Sequence, residues 1–329
     1  MEKSLKSYAK YLCCSLYRQH GNKLDFFIVG FQKCGTTSLF HYLDMHPLCL
    51  GTMEKEPLLF TSKYKPDFNK WDMLSFFRSR RLLKKNRKAL LFEATPDYAF
   101  LEHVAERLYR HNPKAKLIML VREPVSRAIS EYNMVCEIVK KGESPREDVE
   151  CAYYEYLQDP EQYPFSWFVE KEFSQIEQAG SFLSSAFYYP DFIRQGIYYV
   201  HLKRFYTFFA PKQILVLEDR ELREHKKETL YEIETFLNIP HIDWKDEDLV
   251  NSNVGVYTQQ VPAECKLQHW SLPGLHPSSR YEEYSKTFLF HTRFPSYAHA
   301  TPGPPEPGSV SEQKKYKISS NAHNIFPGG

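Results

Sequence analysis

Four short runs of consecutive apolar residues divide the chain, and none alternates with polar residues as a half-exposed strand would. Such runs are typical of strands that are buried on both faces. Amphipathic segments of helical period lie between them, and this alternation predicts an α/β fold, a parallel sheet with helices on both faces. The predicted strands span residues 25–30, 89–92, 116–121 and 213–217, and the predicted helices span residues 36–44, 104–110, 124–139 and 196–209.

The pattern changes in two other parts of the chain. Residues 140–190 are rich in Glu, Tyr, Phe and Pro and show no evident strand, which predicts a helical insertion beside the sheet. After Pro262 the periodicity degrades, and the Pro/Gly-rich stretch 301–309 leads us to expect disorder from about residue 300. We therefore predict an N-terminal extension over 1–23, a main domain over 24–257 and an atypical C-terminal segment over 258–329.

The first predicted strand leads directly into a short polar loop and the start of a helix. Backbone N–H groups at a helix N-terminus attract anions, glycine lets the backbone approach a ligand closely, and hydroxyls add hydrogen-bond donors. A lysine in the same loop adds a positive charge. The loop therefore predicts a site for a phosphate-bearing ligand, formed by Lys33, Cys34, Gly35, Thr36, Thr37 and Ser38.

The spacing of Gly30 and Gly35 matches a Walker A motif, but the rest of the loop does not. A Walker A motif has Lys and then Ser or Thr directly after its second glycine. Here Thr36 follows Gly35, and Lys33 precedes it by two positions. A nucleotide kinase with a Walker-type loop therefore remains an alternative hypothesis, as does a strand–turn–helix corner without a ligand.

A second candidate phosphate site follows the third predicted strand. Arg122 stands at the carboxyl end of that strand, and Pro124 opens a helix that contains Ser130. The planar guanidinium of arginine suits a phosphate, and the serine hydroxyl could bind the same anion. The alternative is that Arg122 pairs with a carboxylate such as Glu123 or Glu93.

These two segments together resemble the sulfotransferase superfamily. The loop around Lys33 resembles its 5′-phosphosulfate-binding loop, and the segment from Arg122 to Ser130 resembles its 3′-phosphate-binding motif. The form Gly-Phe-Gln-Lys-Cys-Gly-Thr-Thr is similar to Golgi carbohydrate sulfotransferases, particularly N-acetylgalactosamine 4-sulfate 6-O-sulfotransferases. The resemblance covers residues from about 25 to 240. It implies a P-loop-like sulfotransferase fold, 3′-phosphoadenosine 5′-phosphosulfate (PAPS) as the donor and the desulfated nucleotide PAP as the product.

The resemblance also implies catalytic roles. Glu56 lies in a Glu-Lys-Glu-Pro segment similar to the one in which heparan-type members place their catalytic base. A carboxylate beside the phosphosulfate can take the proton from an attacking hydroxyl, although a solvated loop glutamate is the simpler alternative. Lys33 would neutralise the leaving 5′-phosphate oxygen, while Arg122 and Ser130 would hold the 3′-phosphate. This scheme requires no metal ion.

Two further segments resemble the region of the family's acceptor cleft. Phe-Glu-Ala-Thr-Pro-Asp-Tyr, which contains Glu93 and Tyr98, resembles a Glu-Lys-Thr-Pro-x-Tyr segment, but Ala94 replaces the lysine and so removes a cation. The predicted helix that contains Tyr198 and His201 resembles one that lines the cleft, with ordinary packing as the alternative. The carboxylates that follow the fourth predicted strand, Glu218 and Asp219, are expected to anchor structure rather than to act.

Charge and composition restrict the partners. The net charge of +2 predicts no general attraction to nucleic acid or to a membrane. Residues 78–88 contain seven basic side chains, which fits either an anionic polysaccharide acceptor, such as chondroitin or dermatan sulfate, or a solvated helix face. No apolar run is long enough to span a bilayer. The resemblance implies the Golgi lumen or an association with the Golgi membrane, whereas a chain complete as given would be cytoplasmic.

Two features leave alternatives open. The seven cysteines match no zinc pattern, and Cys136 could pair with Cys151 in an oxidising compartment or stay reduced and buried. Many carbohydrate sulfotransferases also carry a late basic-glycine loop over the nucleotide, and no such loop is evident after Leu237. A homologue that binds the nucleotide but has lost turnover is therefore a further hypothesis.

Overall fold

The computed structural model describes residues 23–61, 64, 76–77, 89–143, 154–179 and 191–250. The basic run 78–88, Cys151, residues 1–22 of the predicted extension and the whole segment 258–329 lie outside the described residues. Within the described part, no helix is long and apolar enough to cross a membrane.

The described residues form a five-stranded sheet in which every neighbouring pair of strands is parallel. The strand order is β2-β3-β1-β4-β5, so the first strand lies at the centre. All four strands predicted from apolar runs are confirmed, with bounds shifted by at most two residues. The strands are β1 (Phe26–Gly30), β2 (Cys49–Gly51), β3 (Leu90–Ala94), β4 (Lys116–Val121) and β5 (Ile214–Glu218).

The helices that separate the strands are also confirmed. The last of the four predicted helices is shorter than expected, because a short 3₁₀ helix, Arg194–Gly196, precedes it. The helices are α1 (Thr36–Met45), α2 (Val104–His111), α3 (Pro124–Lys140), α4 (Tyr154–Leu157), α5 (Phe165–Ala179), α6 (Tyr198–Tyr206), α7 (Asp219–Glu224) and α8 (Lys226–Leu237).

A second hydrophobic cluster lies beside the core of the sheet. It joins α3 to α4 and α5, which fall in the segment where the sequence predicts a helical insertion. Tyr132 of α3 contacts the rings of Phe165, Phe168 and Phe192 at centroid distances of 5.4 to 5.8 Å. Helix α3 is therefore held by this cluster, and its first turn is held at the end of β4.

A fully buried ion pair also fixes α3. Arg127 donates to Glu131 over 2.6 Å and also to the backbone carbonyl of Phe192. The second carboxylate oxygen of Glu131 accepts from Gln195 over 3.1 Å. A buried pair that is broken on one side costs about 3–5 kcal/mol, because the other charge is left uncompensated. This network connects α3 to the chain that enters α6, and so it sets the position of Tyr198.

Candidate active site

The loop between β1 and α1 leaves a helix N-terminus open. Gly35 is the residue before α1 and has φ = 84°, a left-handed conformation that favours glycine. Lys33 also has a positive φ of 66°. The first turn of α1 contains no acidic side chain, and Gly35 is exposed. This is the backbone arrangement that the predicted anion site at the N-terminus of α1 requires.

The side chains of the loop differ in their exposure. Thr36 and Ser38 are buried, Thr37 is half-buried, and Ser38 hydrogen-bonds Tyr42 within α1. The Cys34 thiol is buried 3.9 Å from the hydroxyl of Tyr198, and burial raises its pKa to about 12. Cys34 is thus a neutral packing residue, and its backbone amide donates to the carbonyl of Phe31 over 3.2 Å.

Arg122 brings the second candidate phosphate site against this loop. Its Nη1 donates to the backbone carbonyl of Lys33 over 3.3 Å. The hydroxyl of Tyr198 donates to the Arg122 carbonyl over 2.7 Å and accepts from the Arg122 amide over 3.3 Å. Residues far apart in the chain therefore place the guanidinium beside the loop between β1 and α1, residues 31–35, which we call the phosphate loop.

The acidic neighbour of the Arg122 guanidinium differs from the ones weighed in the sequence. Its Nε lies 3.7 Å from Oδ2 of Asp219. Glu123 instead caps α3, where its carboxylate accepts from the amides of Val125 and Ser126. The carboxylate of Glu93 accepts from the hydroxyl of Thr95.

A cleft of about 370 Å³ opens beside Arg122. Ser130, predicted to bind the same phosphate, is buried in α3. Ser126 lies four residues earlier on the same helix face, and it borders the cleft directly. The other residues that line the cleft are Glu123, Glu218, Asp219, Arg220 and Arg223.

Glu56 lies at the same edge of the sheet as the phosphate loop. Its amide donates to the carbonyl of Ala94, the last residue of β3, over 2.9 Å. Strand β3 is the neighbour of β1, and the amide of Thr95 reaches the carbonyl of Ile28 over 3.2 Å. The Glu56 side chain is 47% exposed and paired with Lys55. A hydroxyl from solvent can therefore approach it.

Comparison with known proteins decides the family. The family model described as "Sulfotransferase domain" matches residues 23–261. The chain belongs to the sulfotransferase domain family. This match covers the β1 loop, Glu56, Arg122 and the whole described sheet.

The relatives of this sulfotransferase domain are distant in sequence. Membrane-associated sulfotransferase kil1 of Dictyostelium discoideum is 26% identical over 274 residues, which cover 67% of this chain and 57% of kil1. Human heparan sulfate glucosamine 3-O-sulfotransferase 5 is 26% identical over 213 residues, 65% of this chain and 53% of that protein. The chain therefore spans about half the length of these two relatives.

Other relatives cover similar parts of the chain. Human bifunctional heparan sulfate N-deacetylase/N-sulfotransferase 3 is 25% identical over 241 residues, 71% of this chain and 24% of that protein. Among solved structures, a sulfotransferase from Alicyclobacillus acidocaldarius has 24% identity and a TM-score of 0.46, and covers 69% of this chain and 88% of its own. Mouse sulfotransferase SULT7A1 complexed with PAP has 17% identity and a TM-score of 0.36, with coverages of 72% and 65%.

Three side chains predicted to meet the acceptor lie in the core of this sulfotransferase domain. Glu93, Tyr98 and His201 each have 0% exposure, so their side chains pack in the protein interior, and their role as acceptor contacts stays a prediction. The Tyr98 hydroxyl accepts from the amide of Phe60 over 3.0 Å. These three side chains are therefore part of the packed interior of the domain.

Both ring nitrogens of His201 form hydrogen bonds within the protein. Nδ1 accepts from Arg204 over 2.8 Å, so Nε2 carries the hydrogen and donates to the carbonyl of Arg194 over 2.8 Å. Burial lowers the pKa of His201 to about 3, which keeps the ring neutral. Tyr198, the fourth acceptor candidate, is also buried, and its hydroxyl holds the backbone of Arg122.

Glu93 should make stability depend on pH. Burial raises the pKa of Glu93 to about 8 from its ordinary 4.5, although hydrogen bonds from Tyr98 and Thr95 oppose the shift. The folded protein thus holds a proton that the unfolded chain releases, and the free energy of unfolding falls as pH rises from about 5 to 8. Glu93→Gln should remove this pH dependence, which amounts to at most about 1.4 kcal/mol of unfolding free energy per pH unit.

Urea unfolding of wild type and the Glu93→Gln variant at pH 5 and pH 8 measures this effect. The variant should gain stability relative to wild type as the pH rises, and exposed Glu228→Gln is the matched control. Glu172 is buried with a raised pKa and is unchanged in all three proteins, so its contribution cancels in the comparison. A stability difference between wild type and Glu93→Gln that does not change with pH would contradict a protonated Glu93.

Sequence reasoning did not identify Arg223 and Ser126 as neighbours of Arg122. Nη2 of Arg223 lies 3.1 Å from Oδ2 of Asp219, one helical turn away in α7. The i,i+4 spacing of an acidic and a basic residue after a core strand is the signal that could have identified this pair. For Ser126 the corresponding signal is its i,i+4 spacing to Ser130.

Proposed function

We propose that this sulfotransferase domain moves the sulfuryl group from PAPS to a hydroxyl of a carbohydrate acceptor. The observation that carries the proposal is the 3.3 Å contact between Nη1 of Arg122 and the carbonyl of Lys33. This contact supports the proposal because it joins the guanidinium proposed for one phosphate to the loop before the helix N-terminus proposed for another. One adenosine with phosphates at its 5′ and 3′ positions fits such a pair of adjacent sites.

The chemistry assigned to the chain is charge neutralisation and proton removal. As the acceptor oxygen bonds to sulfur, the bond from sulfur to the 5′-phosphate oxygen breaks and the pair of electrons stays on that oxygen. Lys33 and the amides that open α1 stabilise this developing charge. Glu56 takes the proton from the acceptor hydroxyl. The products are the sulfated carbohydrate and PAP.

Arg122 holds the other end of the donor in this proposal. A guanidinium can bind a phosphate with two parallel hydrogen bonds, which fixes orientation as well as adding affinity. The backbone of Arg122 is itself held by Tyr198, so the side chain projects from a fixed point. Ser130 is the proposed hydroxyl partner from α3. Fixing the 3′-phosphate in this way sets the position of sulfur relative to Glu56.

For the acceptor, we propose a glycosaminoglycan of the chondroitin or dermatan sulfate type, modified in the Golgi lumen. Support comes from the likeness of the β1 loop to N-acetylgalactosamine 4-sulfate 6-O-sulfotransferases. Two of the relatives carry heparan sulfate in their names, which supports the glycosaminoglycan class. Ala94 at the end of β3 distinguishes this site from the heparan-type segment with lysine.

Incubation of the full chain with ³⁵S-labelled PAPS and a panel of glycosaminoglycans tests donor, reaction and acceptor together. We expect label in chondroitin or dermatan sulfate, one PAP formed per sulfate transferred, and no loss of activity with EDTA. Labelling of heparan sulfate alone would contradict the proposed acceptor but support the proposed reaction. Binding of PAP without transfer would favour a homologue that has lost turnover, and chelator-sensitive phosphate transfer from ATP would favour a kinase.

A further inference from the structure

Arg122 shares its acidic partner with a second arginine. Strands β4 and β5 pair in register, with Val121 opposite Glu218. The residues that directly follow these strand ends, Arg122 and Asp219, therefore meet at the sheet edge. The same oxygen of Asp219, Oδ2, lies 3.7 Å from Nε of Arg122 and 3.1 Å from Nη2 of Arg223.

The two arginines differ in their surroundings. The Asp219 side chain is 8% exposed and lies next to the phosphate loop. A Cβ added at Gly35 would lie 3.9 Å from the Cβ of Asp219. Arg223 is 53% exposed and extends along the cleft from α7. A carboxylate that faced Arg122 alone would cancel much of the charge that an incoming phosphate needs. The second guanidinium leaves this trio of charged groups with a net positive charge.

The remaining charged groups of the cleft do not replace Arg223. The Glu123 carboxylate caps α3, and Glu218 is a third acidic side chain in the wall beside Glu123 and Asp219. The Arg220 side chain is 70% exposed and pairs over 2.9 Å with Glu224, which lies one helical turn further along α7. Arg223 is thus the cation that the geometry connects, through Asp219, to Arg122.

We propose that Asp219 and Arg223 are positioning residues for the 3′-phosphate of the donor. Asp219 fixes the guanidinium of Arg122 at the sheet edge, and Arg223 neutralises Asp219 so that Arg122 keeps its charge for the phosphate. This inference rests on the proposed function and extends it to residues outside the two phosphate motifs. It assigns a donor-recognition role to α7, which follows the last strand of the sheet.

The test compares PAP with adenosine 5′-phosphate, which differ only in the 3′-phosphate. Calorimetry on the full chain measures the dissociation constant of each, and their ratio is the selectivity for the 3′-phosphate. We expect Arg223→Gln to lower this selectivity about tenfold, through weaker PAP binding and unchanged binding of adenosine 5′-phosphate. Arg110→Gln is the matched control, since it removes the same charge from an exposed i,i+4 ion pair outside the cleft, and it should keep the selectivity.

A double variant makes the test specific. In Arg223→Gln the Asp219 carboxylate faces Arg122 alone, so adding Asp219→Asn should restore most of the lost selectivity. If Arg223 only packed against the wall of the cleft, removing the charge of Asp219 would not restore the selectivity. The KM for PAPS should follow the selectivity, while kcat at saturating PAPS should change less than about threefold.

Three results would overturn the inference: equal selectivity in Arg223→Gln and Arg110→Gln, an equal loss of affinity for both nucleotides in Arg223→Gln, or no rescue in the double variant. A wild-type protein that binds PAP no better than adenosine 5′-phosphate would overturn the proposed function as well. A selective wild type whose selectivity survives Arg223→Gln would overturn only the role of α7.

Discussion

Lys33→Ala should reduce kcat for sulfuryl transfer by about 10²–10³-fold, the range seen when one preorganised donor to a developing oxyanion is removed. The physical reason is that Lys33 lies in a left-handed turn directly before the open N-terminus of α1. In the proposed mechanism the charge of Lys33 neutralises the 5′-phosphate oxygen as it becomes negative. The helix amides remain in the variant and should retain part of the donor affinity.

The measurement is initial-rate transfer from labelled PAPS, together with PAP affinity by calorimetry. Lys212→Ala removes an exposed lysine at the opposite end of β5 and is the matched control, expected to behave like wild type. The diagnostic pattern is a large loss of kcat with a smaller loss of PAP affinity. Near-normal turnover in Lys33→Ala would remove Lys33 from the mechanism.

Glu56→Gln should lower kcat by about 10²–10⁴-fold, the usual contribution of a positioned general base. The amide side chain keeps the size of glutamate but cannot take the proton of the acceptor hydroxyl. Because Glu56 is bound to the sheet through its own backbone amide, the substitution should leave the loop in place. Affinity for PAP should therefore stay close to that of wild type.

The loop itself supplies the control for this variant. Glu54→Gln removes the same charge two residues away at an exposed position and should retain activity. Both variants are compared by kcat, KM for PAPS and PAP affinity. If Glu56→Gln weakens PAP binding and leaves kcat high, then Glu56 contributes to donor binding and the base lies elsewhere.

The fold was predictable because its signals are local. Each core strand is a run of adjacent apolar residues, and β1 is buried along its whole length. Strand β2 was missed because three residues are too short to show a period. Helix α8 was missed although Leu230, Ile233 and Leu237 are spaced for one buried face.

The candidate site was predictable only in part, for the same reason. The loop from Lys33 to Ser38 carries its chemistry in adjacent residues, as does the strand end at Arg122. Burial is not local, however. Glu93, Tyr98 and His201 resemble cleft residues in sequence but are enclosed by segments distant in the chain.

The amino-acid sequence by itself determined the class of fold, the order of the strands along the chain and the residue types of two candidate phosphate sites. Only the tertiary structure decided that Lys33 and Arg122, 89 residues apart, meet through a hydrogen bond. It alone also placed Asp219 between Arg122 and Arg223. The reason is physical: periodicity and turn chemistry depend on neighbouring residues, whereas contacts across a sheet edge depend on strand order and register, which form only when the whole core packs.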